Sequence, residues 1–243
     1  MRKTIVITDL TQMPREFSNG NEVCVVGLDE DGNSVRLICN GGFQKNYLKR
    51  NHLAIVRPSA KVEFDLHVIK VNPPHIEDMG FNPDSITGKG FCTNAEWERA
   101  LQQTSFDAVE DIFEGHLSGN DWVLPGTETR SIATLSGARI VDIELTGKNA
   151  KPRVTFVDKN RRTYCRPVSD LTLWNRCYSQ VIRQHKEPKK VAEELKKTFQ
   201  ESVRLYLRLG LARPWAEDNK CWLQVTGIYT FPDYLKGKTF ADF

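Results

Sequence analysis

The stretch Ser202-Val203-Arg204-Leu205-Tyr206-Leu207-Arg208-Leu209 decides how the second half of this chain is read. From Val203 to Leu209 every odd position is apolar, while Arg204, Tyr206 and Arg208 take the other parity. Successive side chains of a strand point to opposite faces, so the stretch predicts a strand with an apolar inner face and a cationic, aromatic outer one. Gly210-Leu211-Ala212-Arg213-Pro214-Trp215 breaks the alternation, and Cys221 to Tyr229 (CWLQVTGIY) predicts the next strand.

Upstream the period changes. Leu171, Trp174, Cys177, Tyr178, Val181 and Ile182 recur at helical spacing behind Asp170, a residue type that caps helices. Pro188 marks a second helix whose apolar stripe is Val191, Ala192, Leu195 and Phe199, a pattern that reads as core packing. Before the helices, Gly137–Thr146, Val154–Val157 and Arg162–Arg166 read as three strands joined by the turns Gly147-Lys148-Asn149 and Asp158-Lys159-Asn160. Three strands, a helical insert and two more strands is the element order of a five-stranded OB barrel.

The first half is less regular. Val23–Leu28 and Val35–Ile38 flank Asp31-Gly32-Asn33 as a hairpin, and Lys61–Val71 alternates through Val62, Phe64, Leu66 and Val68 as another strand. Asn46–Asn51 reads as a turn or short helix, and Pro73–Gly90 as a long loop. Residues 93–114 predict an acidic helix capped at Asn94. The opening Met1-Arg2-Lys3 precedes only three apolar residues, too few for a secretory signal, and predicts a first strand. The boundary between the halves falls near residue 135, giving an N-terminal domain over 1–135 and a C-terminal one over 136–243.

Charge separates the halves. Residues 1–135 carry 13 Lys and Arg against 19 Asp and Glu, whereas 136–243 carry 21 against 12. A surplus of that size in the second half predicts a polyanionic partner or a solvated basic surface. The six cysteines form no C-x-x-C pair, which argues for free thiols in a reducing cytoplasm and against a disulfide framework or thiolate metal site. No apolar run approaches bilayer length.

Several segments resemble the dual OB-containing domain family of prokaryotes. They are Cys24–Asp29 (CVVGLD) with Val35–Ile38, Pro74–Asp78 (PHIED), Tyr206–Pro214 (YLRLGLARP) and Trp222–Thr230 (WLQVTGIYT). The resemblance implies two OB-like five-stranded barrels in tandem, mainly β with helical insertions. It also implies engagement of nucleic acid or a nucleotide, in a setting of prokaryotic genome defence. The acidic segment near 94–114 lies outside a minimal barrel and reads as an insertion.

Single-strand binding needs cations for phosphates and flat π or guanidinium faces for bases. The residue types and parity of the second half nominate Arg162, Tyr164 and Arg166 on the third strand, with Arg204, Tyr206 and Arg208 on the fourth. Arg213 and Trp215 in the following loop and Trp222 and Gln224 on the fifth complete the set. The partner expected is single-stranded DNA or RNA, or a nucleotide. Catalysis has one candidate cluster, His75, Glu77 and Asp78, whose residue types suit acid–base work or a divalent ion in a phosphodiesterase or nucleotide hydrolase. A protein-interaction adaptor using the acidic helix is the remaining expectation. The chain lacks a phosphate-binding G-x-x-x-x-G-K-[ST] loop, G-x-G-x-x-G after a strand and H-E-x-x-H, so no cofactor is expected.

Overall fold

The computed structural model describes residues 1–13 and 20–243. Five strands of the first half close into a barrel: β1 (Arg2–Gln12), β2 (Glu22–Leu28), β3 (Ser34–Ile38), β4 (Ala60–Val68) and β5 (Asp78–Phe81). Their order around the barrel is β1-β2-β3-β5-β4 and back to β1, with β3 and β5 parallel and the other pairs antiparallel. Closure depends on the length of β1. Its residues Arg2–Val6 pair with β4 while Val6–Gln12 pair with β2, and a register shift lies between Ile7 and Asp9. At Gly27 the two walls approach so closely that a Cβ would stand 2.5 Å from the Val6 carbonyl oxygen. Inside, Ala60, Val62, Phe64 and Leu66 of β4 alternate inward beneath Ile5, Ile7 and Phe43, the pattern expected of a strand buried on one face.

After the barrel come the acidic helices α1 (Asn94–Gln103) and α2 (Val109–Ile112), then strands β6 (Ile132–Ser136), β7 (Arg139–Thr146), β8 (Lys151–Val157) and β9 (Thr163–Pro167). Helices α3 (Leu171–Tyr178) and α4 (Pro188–Gln200) come next, and β10 (Arg204–Leu211) and β11 (Cys221–Phe231) end the fold. β6 pairs with β10, which pairs with β11, whereas β7, β8 and β9 form their own sheet. The chain passes from one sheet to the other at Gly137, where φ is +68°, a backbone state that glycine adopts without strain. Across the opposite seam a single parallel bridge joins Val168 to Val225. The result is a half-barrel whose interior is filled by α3 and α4. Val191, Ala192, Leu195 and Phe199 of α4 are all buried there, as their spacing predicts.

The strands and helices read from 137–229 are all present. Elsewhere the structure corrects the reading. Residues 73–90, expected as a loop, contain β5 and most of an edge strand, Thr87–Phe91, on β4. Both strands are short and are paired only with distant segments, so local pattern carried little signal of them. β4 stops at Val68, whose side chain is 75 % exposed, instead of continuing to Val71. Helix α1 is capped by Thr93 and not Asn94, through a reciprocal box in which the Glu96 amide donates to Thr93 Oγ1 and the Thr93 amide to Glu96 Oε2. All six cysteines are free thiols. Among the described residues no helix is long and apolar enough to cross a membrane.

The halves are joined by buried polar groups. Arg208 and Asp9 are both fully buried; Arg208 Nε donates to Asp9 Oδ2 at 2.9 Å and Nη1 to Thr134 Oγ1 at 3.0 Å, while Thr226 donates to Asp9 Oδ1. The acidic insertion closes a second seam. Trp97 and Leu101 of α1 pack with Tyr206, Tyr229 and Phe231, Trp97 lying edge-on to Tyr229 at 5.1 Å. Breaking one member of a buried pair leaves the other charge without water or partner, at a cost of roughly 3–5 kcal/mol. Arg208→Met is therefore expected to destabilise the protein by about that amount in urea unfolding. The double variant Asp9→Leu, Arg208→Met should recover most of the loss. A single-variant loss no greater than that of an ordinary surface substitution would show that the pair does not hold the halves together.

A cleft between the two halves

The outer face of the first barrel and the β10–β11 hairpin enclose a cavity of about 700 Å³. One wall is the outward side of β2 and β3, with Cys24, Val26, Arg36 and Ile38. The other combines Arg153 on β8, Arg166 at the end of β9, and the segment that joins β10 to β11. That connection is folded on itself: the Trp215 amide donates to the Lys220 carbonyl at 3.2 Å and the Asn219 amide to the Trp215 carbonyl at 2.8 Å. Buried Asp9 and Thr226 adjoin the cavity as well, so one member of the ion pair that joins the halves lies directly behind its wall.

Most cations of the cleft are already neutralised. Asp78 accepts from Arg36 at 3.4 Å and from Arg213 at 2.8 Å. Arg36 also reaches Ser131 Oγ at 2.8 Å. Arg166 pairs with Asp121 and donates to the Asn120 carbonyl at 2.9 Å. Arg153 differs: it donates to the Cys165 carbonyl at 3.3 Å and, among the described residues, forms no ion pair. The aromatic side chains that line the cleft are Phe43, Trp215 and Trp222. Trp222 Nε1 donates to Asp218 Oδ2 at 3.1 Å, which fixes the indole. Trp222 lies opposite Trp122 across a short strand pair, and Lys220 Nζ stands 4.6 Å from the Trp122 ring and 5.3 Å from that of Trp222. These contacts suit a cation–π arrangement that props the indole at the cleft margin.

Of the ten residues nominated from sequence, Arg166, Arg213, Trp215, Trp222 and Gln224 line this cavity. The other five lie elsewhere. Arg162 forms an ion pair with Glu110 at 3.0 Å, and Arg204 is held by Glu98. Tyr164 is buried in the core, stacked on Phe156 at 5.2 Å. Tyr206 packs under α1, and Arg208 is in the interior. The reason is that β10 is covered on both sides. Its apolar residues Leu207 and Leu209 face the half-barrel core, and its polar parity faces the first barrel and α1. The alternation marks two buried environments instead of an inside and an outside. Arg36 and Arg153 were not singled out from sequence. For Arg153 the signal was present, since Pro152, Val154 and Phe156 point in and leave Lys151, Arg153 and Thr155 on the other face.

The cluster His75, Glu77 and Asp78 is spent on joining the halves. His75 Nε2 lies 3.3 Å from the Leu211 carbonyl. Glu77 accepts from the Ser131 amide and hydroxyl at 2.7 and 2.8 Å. Asp78 holds the two arginines already described. His75, Glu77 and Asp78 are thus bound to Leu211, Ser131 and Arg213 respectively, Asp78 also to Arg36 of β3, and among the described residues no three metal-ligating side chains converge. No protein-family model matches the chain, and no curated protein matches it.

Two buried groups at this seam titrate in opposite senses. Burial, reinforced by the Arg36 and Arg213 charges, lowers the His75 pKa from 6.5 to about 3. Burial raises that of Asp170, the N-cap of α3, from 3.8 to about 7, although the Leu173 and Thr172 amides oppose the shift. The neutral form of each is favoured in the folded state. The His75 contribution to stability is present above pH 6.5 and lost as pH falls toward about 3. The Asp170 contribution is complete below pH 3.8 and lost as pH rises through about 7. Asp170→Asn retains a good cap and removes one of the two. Urea midpoints across this range should then fall more steeply on acidification than in the unaltered protein, whereas parallel profiles would refute the assignment.

Proposed function

We propose that the chain is a binding module of two tandem OB-like barrels that holds single-stranded DNA or RNA in the cleft between them. The observation that carries this reading is which surfaces line the cleft. In OB barrels, oligonucleotides lie on the face of strands two and three, flanked by the loops after strands one and four. Counted in that way, β2 and β3 of the first barrel and β8 and β9 of the second both contribute to the cleft. His75 comes from the loop after the first barrel's fourth strand, and Arg213 and Trp215 from the corresponding loop of the second. This count takes β6 and β7 together as a first strand bent at Gly137, and the bridge between Val168 and Val225 as the parallel contact of the third strand with the fifth. The resemblance to the prokaryotic dual OB-containing family, with its link to genome defence, belongs to the same proposal.

In this reading the indoles of Trp222 and Trp215 take bases, and Arg153 takes a phosphate. A stacked base contributes roughly 1–3 kcal/mol. Since Arg36, Arg166 and Arg213 already have carboxylate partners, the cleft itself releases few counterions. For a dinucleotide the slope of log affinity against log salt is expected near about −0.7, the value for one phosphate on a single strand. Fluorescence anisotropy of labelled DNA and RNA oligomers measures both quantities. Trp222→Leu and Arg153→Ala should each weaken binding by about fivefold or more while leaving the urea midpoint in place. Absence of saturable binding to either nucleic acid at low salt would refute the proposal.

A further inference from the structure

The basic surplus of the second half divides into two populations. Lys159, Arg162, Lys196, Arg204 and Arg213 each have a carboxylate partner, as does Arg166 in the cleft. Among the described residues Lys151, Arg153, Arg183, Lys186, Lys189 and Lys190 form no ion pair. Arg139, Lys148, Arg161, Arg176, Lys236 and Lys238 likewise form none among the described residues, but the six named first occupy one continuous region. Lys151 and Arg153 share the outward parity of β8. Lys151 Nζ stands 5.4 Å from the ring of Trp174 on α3. Trp174 and Tyr178 are four residues apart on that helix, hence on one face.

Beyond Tyr178 the helix widens into one π-turn, Ser179–Arg183. Five-residue spacing brings Arg183 back beneath Tyr178, with the guanidinium carbon 5.7 Å from the ring. The Lys186 amide donates to the Gln180 carbonyl at 3.0 Å, which folds the chain back toward Lys189 and Lys190 at the start of α4. Carboxylates are present too. Glu144 lies opposite Arg153 in the β7–β8 register, Glu187 precedes Pro188, and Glu193 and Glu194 lie one turn further along α4. None of them forms an ion pair with these cations.

Lys151, Arg183, Lys186, Lys189 and Lys190 line the open side of this region, all five exposed, with Trp174 and Tyr178 half-exposed beside them. Two adjacent rings with a cation at either end, continuing into a lysine cluster, match the layout of a single strand: phosphates at intervals with bases between them. At about 3.3 Å per strand residue and 1.5 Å per helix residue, Arg153 to Lys151 spans roughly 7 Å and Trp174 to Arg183 roughly 13 Å. The stripe begins where Arg153 leaves the cleft, so one strand can occupy both.

Resting on the cleft reading, we propose that the stripe Lys151–Trp174–Tyr178–Arg183 is a second contact surface for single-stranded nucleic acid, engaged by strands too long for the cleft. It makes the protein discriminate by length: the cleft takes a short segment and the stripe takes the remainder of the strand.

The test compares a labelled dinucleotide with an oligomer of about twelve nucleotides, within the range single OB modules cover, on the full chain and on the double variant Lys151→Glu, Arg183→Glu. Both substituted side chains reach solvent, and the urea midpoint serves as the fold control. In the unaltered chain the long oligomer should bind more tightly and with a steeper salt dependence. The double variant should lose roughly tenfold or more on the long oligomer and flatten its salt slope by about 1.4, two phosphates' worth, while dinucleotide binding is unchanged. Trp174→Leu should likewise weaken only the long oligomer. If both oligomers bind and the variants lose nothing on the longer one, the stripe is overturned and the cleft reading stands. If neither oligomer binds, both fall together.

Discussion

One buried ion pair, Asp9 with Arg208, sets the arrangement of the whole molecule. Neither group touches solvent, and each comes from the central part of a long strand in a different half of the chain. Two charges removed from water tolerate this only if their partners are held in place, which fixes β1 against β10 in position and angle. Thr134 and Thr226 bond the pair, and the Tyr229 hydroxyl donates to the Thr8 carbonyl beside it, while Arg208 Nη2 is buried without a partner among the described residues. The remaining features at the seam result from that placement. With β10 set against the first barrel, its loop to β11 projects past β2 and β3, and α1 covers the end of the seam with Trp97.

The same constraint explains why the cleft is less basic than the composition suggests. A cation near a seam of low dielectric is retained when a carboxylate answers it. Asp78 therefore answers both Arg36 and Arg213, and Asp121 answers Arg166. Much of the positive surplus of the second half lies instead on open surface, including β8, the turn after α3 and the start of α4, where water solvates charge without a partner. Contact geometry thus divides the basic half into cations held by carboxylates and cations solvated at the surface.

The His75–Glu77–Asp78 segment shows how contacts, and not residue type alone, set what a side chain does. A histidine two residues from a carboxylate is the raw material of acid–base chemistry, but that chemistry needs a group that can change protonation near neutral pH. Here burial and two neighbouring arginines push the His75 pKa to about 3, so the ring stays neutral. The carboxylates each accept two hydrogen bonds, Glu77 from Ser131 and Asp78 from Arg36 and Arg213. The seeming reactive cluster is a set of bonds across the seam from the loop before β5 to Ser131, Leu211 and Arg213.

Local signals in the sequence specified the secondary structure of the second half almost completely. Strand alternation in 202–209, the helical spacing behind Asp170 and the turns at Gly147 and Asp158 each set backbone geometry through neighbours within a few residues. The hydrophobic face of α4 was legible for the same reason. β5 and the edge strand at Thr87–Phe91 were not, because they exist only through their partners on β3 and β4. Nor could the sequence say which way the polar parity of β10 faces. Alternation reports that two sides of a strand differ, and only tertiary packing decides whether the polar side meets water or another domain. For Arg208 it met Asp9, some two hundred residues earlier in the chain. That contact moved the candidate binding surface from the strand's outer face to the cleft beside it.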